Sequence, residues 1–236
     1  MKLFHALPLL ACISTFGLVR SQAGLLVNES FESPALSANA TQDLWDQNGR
    51  VGESGVLTGW GLGEFNYFSA ATLDPRTMLI NNPGAPSGSQ YLGFNTGQWD
   101  AGGTVFQSFT ATPSMSYNLT YQIGASGGAA ATVSMRVRAY DGATVLAETT
   151  TSRNTLGWGQ GSLSFSAGSG TSSIMIEFLD ITPSATGNNT DLLLDSVSLT
   201  AVPEPGAYAA VFGIGLAGLG VVRRVRAGGR SSPCAR

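Results

Sequence analysis

The chain has 236 residues and a net charge of −3, and its only histidine, lysine and cysteines (His5, Lys2, Cys12 and Cys234) fall outside the stretch from Gly24 to Val202. That stretch therefore excludes histidine-assisted serine or cysteine nucleophiles, Schiff-base lysines, ordinary zinc sites and disulfides. It sets five arginines (Arg50, Arg76, Arg136, Arg138 and Arg153) against fourteen aspartates and glutamates, a net −9 that repels phosphate backbones and excludes nucleic-acid binding.

The amino end reads as an export signal over residues 1–23. Lys2 supplies the positive charge, Leu3 to Val19 is mostly apolar, and Ser21-Gln22-Ala23 puts small residues where signal peptidase inspects them, which predicts cleavage between Ala23 and Gly24. Leu9-Leu10-Ala11-Cys12 offers a second, lipobox-like cleavage, ranked lower because apolar sequence continues well past Cys12. The next segment, 24–201, has the length of one exported domain with its own core.

Within that domain, Asn39 to Pro86 scatters Gly, Asn and Pro among single aromatics and predicts loops with short edge strands. Beyond it, apolar residues recur at every second position. Val105 to Phe109, Tyr117 to Ile123 and Val133 to Ala139 predict three strands, and Asp141-Gly142 predicts a hairpin into Thr144 to Glu148. Leu163 and Phe165, Ile174 to Phe178, and Leu192 to Leu199 predict three more, separated by turn clusters at Gly124 to Gly128, Gly157 to Gly161 and Pro183 to Asn189. About eight to ten such strands predict an all-β, antiparallel sandwich with jelly-roll connectivity.

The carboxyl end changes character again. Val202-Pro203-Glu204-Pro205 is followed by an uncharged run from Gly206 to Val222 and by Arg223, Arg224, Arg226 and Arg230. The prolines enforce an extended segment that exposes Glu204. The uncharged run reaches roughly 25 Å as a helix, just enough to span a membrane, with the arginines and the tail 231–236 on the cytoplasmic side. Residues 202–230 resemble the PEP-CTERM sorting domain of Gram-negative bacteria. The resemblance implies an inner-membrane-anchored precursor, an exosortase-type protease as processing partner, and a mature form at the cell surface or secreted, in an exopolysaccharide or biofilm matrix.

Leu26-Val27-Asn28-Glu29-Ser30-Phe31-Glu32 and Leu193-Leu194-Asp195-Ser196-Val197-Ser198-Leu199 resemble the first and last strands of galactose-binding-like jelly rolls, the fold of many carbohydrate-binding modules. That resemblance implies a structural calcium ion held in part by Glu32 and Asp195. Oxygen-only ligation suits calcium, although both residues also read as plain strand-end residues.

Four tryptophans remain after Gly24. Trp45, flanked by Asp46, and Trp99, flanked by Asp100, are the candidates for stacking against a sugar ring, whereas Trp60 and Trp158 read as packing residues. With no catalytic motif present, the leading expectation is a non-enzymatic surface or matrix module that binds exopolysaccharide. A structural protein without a ligand comes second, and a carboxylate glycosidase third.

Overall fold

The computed structural model describes residues 24–36, 42–43, 57–62, 72–74, 83–94, 101–127, 132–183 and 190–202. They form eleven strands: β1 (Gln42–Asp43), β2 (Gly61–Leu62), β3 (Thr72–Asp74), β4 (Tyr91–Gly93), β5 (Thr104–Thr110), β6 (Ser116–Gly127), β7 (Val133–Asp141), β8 (Thr144–Arg153), β9 (Gly157–Ser166), β10 (Ser173–Asp180) and β11 (Thr190–Val202). One sheet has the order β1-β3-β4-β11-β6-β9 and the other β2-β5-β10-β7-β8. Every pairing is antiparallel.

From β5 onward the long strands cross from one sheet to the other, except at the β7–β8 hairpin. There Gly142 takes a φ of 56°, the left-handed geometry that the Asp-Gly turn predicts. The two sheets face each other and form a β-sandwich. Period-two alternation sends Val105 and Phe109, Leu119 to Ile123, Val133 to Ala139, Leu163 and Phe165, and Ile174 to Phe178 into one core. Aromatic pairs cross it: Phe109 meets Tyr117 at 5.1 Å between ring centroids, and Tyr121 meets Phe178 at 5.3 Å. Trp60 joins that core, its Nε1 donating to the Asn28 carbonyl at 3.1 Å.

Gln107 also points inward, and the strand pattern tolerates it because its amide is fully used. It accepts from Val27 N–H at 2.6 Å and donates to the carbonyls of Val27 at 3.0 Å and Gly59 at 2.7 Å, which binds the amino-terminal segment to β5.

Two glycine clusters expected as turns lie within strands. Gly124 to Gly127 belong to β6 and Gly157 to Gly161 to β9. The reason is space. A Cβ on Gly124 would come within 2.7 Å of the Trp158 ring, and one on Gly161 would enter the Tyr121 ring. β11 carries a register shift between Asp195 and Ser198, with Ser196 at a φ of 51°. This bulge explains why its inward residues are even-numbered at Leu192 and Leu194 but odd-numbered at Val197 and Leu199.

Candidate active site at one end of the sandwich

β10 alternates Ile174, Ile176 and Phe178 into the core, and the next inward position is Asp180. The pattern therefore drives a carboxyl into the apolar space between the sheets, where it is 1% exposed. Its backbone is fixed by a bond from Asp180 N–H to the Gly103 carbonyl at 2.9 Å, and Ile181 N–H reaches the Ser134 carbonyl at 3.0 Å. Oδ1 accepts from Thr182 N–H at 2.8 Å, while Oδ2 has no hydrogen-bond partner among the described residues. Burial pushes the carboxyl up to about 7, the Thr182 bonds oppose this, and the charge of Asp191 adds to it. Asp180 is thus a buried carboxyl with a raised pKa and, among the described residues, one oxygen without a hydrogen-bond partner.

Its surroundings combine an apolar, aromatic inner face with the polar Thr182 and the charge of Asp191. Phe178, two residues before it on the same face, packs against Trp60 at 6.0 Å and edge-on against Tyr121 at 5.3 Å. Met135 lies opposite Asp180 in the β7–β10 register. The position was legible, since a strand that reads Ile, Ile, Phe at alternate positions and then Asp places an acid on the apolar face. No catalytic motif surrounds it, so that alternation is its one local signal, and it is absent from the residues singled out above.

Glu32 and Asp195, expected as a pair, are indeed brought together. Both hang from one turn: Ser87 N–H donates to Asp195 Oδ2 at 3.2 Å, and Ser89 N–H and Gln90 N–H donate to Glu32 Oε1, each at 2.8 Å. Asp195 also accepts from Ser196 N–H at 2.5 Å and is fully buried. Burial, above all, and then the neighbouring Glu32 charge push its carboxyl up to about 7 against those two bonds. Two carboxylates crowded without a counter-charge fit a hard cation. Among the described residues no three His, Cys, Asp or Glu side chains converge, so any further ligands there would be other oxygens.

The remaining expected positions divide differently. Trp45, Trp99, Asp100, Pro203, Glu204, Pro205, Arg223, Arg224 and Arg226 lie outside the described residues, as do Ala23 and the signal before it. Gly24 opens the described chain, and Val202 ends β11 with 44% exposure. Trp158, expected in the core, instead lies on the outer face of its sheet, 5.6 Å from the Tyr91 ring, with Nε1 donating to the Gly84 carbonyl at 2.6 Å. No helix among the described residues is long and apolar enough to cross a membrane, and the expected span 206–222 falls outside them. A hollow of about 360 Å³ lined by Ser108, Tyr140 and Met175 lies on the outer face of β10 and β7, at the end away from Asp180. Its one carboxylate, Asp141, is already taken by the Thr171 hydroxyl.

Comparison with known proteins bears on the fold and the family. No curated protein sequence matches the chain. A Stig cyclase from Fischerella sp. TAU, solved with (3Z)-3-(1-methyl-2-pyrrolidinylidene)-3H-indole, superposes with a TM-score of 0.53 at 18% identity, covering 75% of this chain and 96% of that one. A cyclase from the same organism, solved with 4-(1H-indol-3-yl)butan-2-one, superposes at 0.51 with 19% identity and the same coverage, 75% and 96%. Carbohydrate-binding modules are also among the structural neighbours, for example TmCBM61 with β-1,4-galactotriose at a TM-score of 0.42 and 13% identity, covering 74% of this chain and 96% of that one. The likeness to the two cyclases shows a shared sandwich fold. The family described as HpiC1-like, HpiC1 cyclase, matches residues 24–200, nearly the whole exported domain. The expectation of a non-catalytic module that binds polysaccharide is thereby overturned: absence of histidine, cysteine and lysine removed nucleophilic chemistry but not acid chemistry, which one buried aspartate can carry. The chain belongs to the HpiC1-like cyclase family, a family of enzymes.

Proposed function

We propose that this enzyme closes a ring by acid catalysis, with Asp180 as the proton donor. The observation that carries the reading is the Asp180 carboxyl itself, buried at the end of an apolar face, pushed up to about 7, with Oδ2 uncommitted. Asp180 Oδ2–H gives its proton to an electron-rich carbon–carbon double bond. The cation so formed is attacked by a π-bond of the same molecule, which makes the new ring bond. Loss of a proton from the ring cation then returns a proton to the Asp180 carboxylate, so the product is an isomer of the substrate and no oxidant or reductant is consumed. Phe178, with Trp60 and Tyr121 behind it, offers π-faces near the developing positive charge.

The substrate class is an apolar, π-rich molecule, of the kind represented by the indole compounds bound to the two Fischerella cyclases. Incubation of the full chain with an alkenyl indole should yield a cyclised isomer of unchanged mass, and Asp180→Asn should reduce that rate by about a hundredfold or more. Unchanged turnover in a folded Asp180→Asn variant would remove the reading.

Glu32 and Asp195 would hold calcium, which when bound supplies the counter-charge between them. The chain's residues then act through that site only structurally, since it ties the segment after Phe31 and the turn Ser87–Gln90 to β11. We further propose that residues 1–23 direct export through signal peptidase, and that residues 202–230 pass the chain to an exosortase-type protease, so that the enzyme works outside the inner membrane. The supports for this are the small residues ending at Ala23, the Pro-Glu-Pro segment and the arginine cluster.

A further inference from the structure

The end of the sandwich that holds Asp180 also holds a cation with no acid beside it among the described residues. β8 runs parallel in space to β10, two places away across β7, and ends at Arg153. In register, Asp180 faces Met135, which faces Thr151, and Arg153 lies one inward position further out, opposite Val133. Neighbouring strands lie about 4.8 Å apart, so the two backbones stand roughly 10 Å from each other across an apolar floor of Val133 and Met135.

Arg153 points inward. Its guanidinium reaches the opposite sheet and lies on Gly159, where a Cβ would sit 2.9 Å from the guanidinium carbon and closer still to Nη1. The other two described arginines lie beside an acid: Arg138 Nε is 2.5 Å from Glu148 Oε2, and Arg136 Nε, itself without a hydrogen-bond partner, is 3.9 Å from the same oxygen. Arg153 has no such partner among the described residues. Its Nη2 donates to Thr155 Oγ1 at 3.1 Å, and its Nε is shut off from water with nothing to donate to. The residue as a whole is half-buried, but an N–H shut off from water without an acceptor is costly, and an acceptor reaching it would relieve that cost.

We propose that Arg153 recognises a carboxylate on the substrate, at the same end of the sandwich as the point of protonation, so that this enzyme takes an acidic member of the π-rich substrate class. The proposal rests on the reading of Asp180 as proton donor. A carboxylate is favoured over a phosphate for two reasons. A guanidinium matches its planar pair of oxygens, and one cation in a domain of net charge −9 cannot offset the repulsion of a dianion. The same arginine could simply close the seam between β8 and β9, and the test separates these roles.

Two isosteric probes are titrated calorimetrically into the full chain: 4-(1H-indol-3-yl)butan-2-one and indole-3-propionate, which replaces the terminal methyl group with a charged oxygen. The expected result is binding of the propionate about tenfold tighter than the ketone, loss of that preference in Arg153→Gln, and its retention in Asp180→Asn. Arg153→Lys keeps the charge but not the fork, and should weaken propionate binding severalfold while leaving ketone binding unchanged. It also serves if Arg153→Gln does not fold. Equal affinity for the two probes, binding of neither, or a preference that survives in both Arg153 variants would overturn the proposal. Failure of the Asp180 reading shows separately, as Asp180→Asn that retains full cyclising activity.

Discussion

Tyr121 meets Phe178 edge-on across the sandwich, with ring centroids 5.3 Å apart and planes at 83°. The positive rim of one ring faces the negative face of the other, an arrangement worth about 1 kcal/mol beyond burial. The Tyr121 hydroxyl is bonded to Thr151 Oγ1 at 2.7 Å, so one side chain ties β6 to β8 and to β10 two residues before Asp180. The acid therefore lies two residues beyond a contact that braces both sheets.

Stability should depend on pH through Asp180 and Asp195, and the sign follows from their raised values. Each folded-state pKa, about 7, exceeds the ordinary aspartate value of 3.8, so the folded state holds protons that the unfolded chain has released between those limits. In metal-free buffer the melting temperature should fall as pH rises from about 4 to 7 and then level off. Asp180→Asn, which cannot ionise, should flatten part of that slope and melt higher than wild type at pH 8. A slope unchanged by the substitution would show that Asp180 is not the group losing its proton.

Calcium should act in the opposite direction at neutral pH. A ligand that binds only the folded state at a hundred times its dissociation constant stabilises by about 2.7 kcal/mol. Adding calcium to chelator-treated protein should raise the melting temperature by several degrees, and Asp195→Ala should remove most of that response. Elemental analysis must confirm that the starting protein is metal-free, and an identical melting curve with and without calcium would reduce Glu32 and Asp195 to a purely structural pair.

Gly161→Ala should destabilise the fold by about 1–3 kcal/mol. The added methyl group would enter the ring of Tyr121, which is 1% exposed and has nowhere to retreat. Double substitution with Tyr121→Phe should recover little, because the conflict involves the ring edge as well as the hydroxyl. Chemical denaturation of the three variants reads this directly.

Mass spectrometry of protein purified from its native host should find Gly24 as the first residue and no trace of Arg223 to Arg236. Glu204→Ala should leave the uncut precursor in the inner membrane. Intact carboxyl termini at steady state would disprove the processing.

The strands were legible because alternation is a local property, and the inward residues of β5, β7 and β10 follow from it. The glycine clusters were not. Whether Gly161 ends a strand or makes room in one depends on Tyr121, forty residues earlier in the chain, and no local pattern contains that ring. The site was missed for a different reason. Histidine, cysteine and lysine declare their chemistry by type, whereas Asp180 acquires its own from the apolar surroundings that raise its pKa. Glu32 and Asp195 sit in the two terminal strand motifs, and the fold brings both to the turn at Ser87 to Gln90.

The bulge in β11 sets the parity of that strand. Three steps from Asp195 to Ser198 span two on β6, and this one extra residue is what brings Val197 and Leu199 inside. Straightening the bulge at unchanged length would turn Val197 and Leu199 to the outer surface and Ser198 and Thr200 into the core, along the stretch that pairs with Leu119 and Tyr117. Loss of the Ser196 codon, by contrast, would remove the extra residue and leave the inward set of β11 as it is.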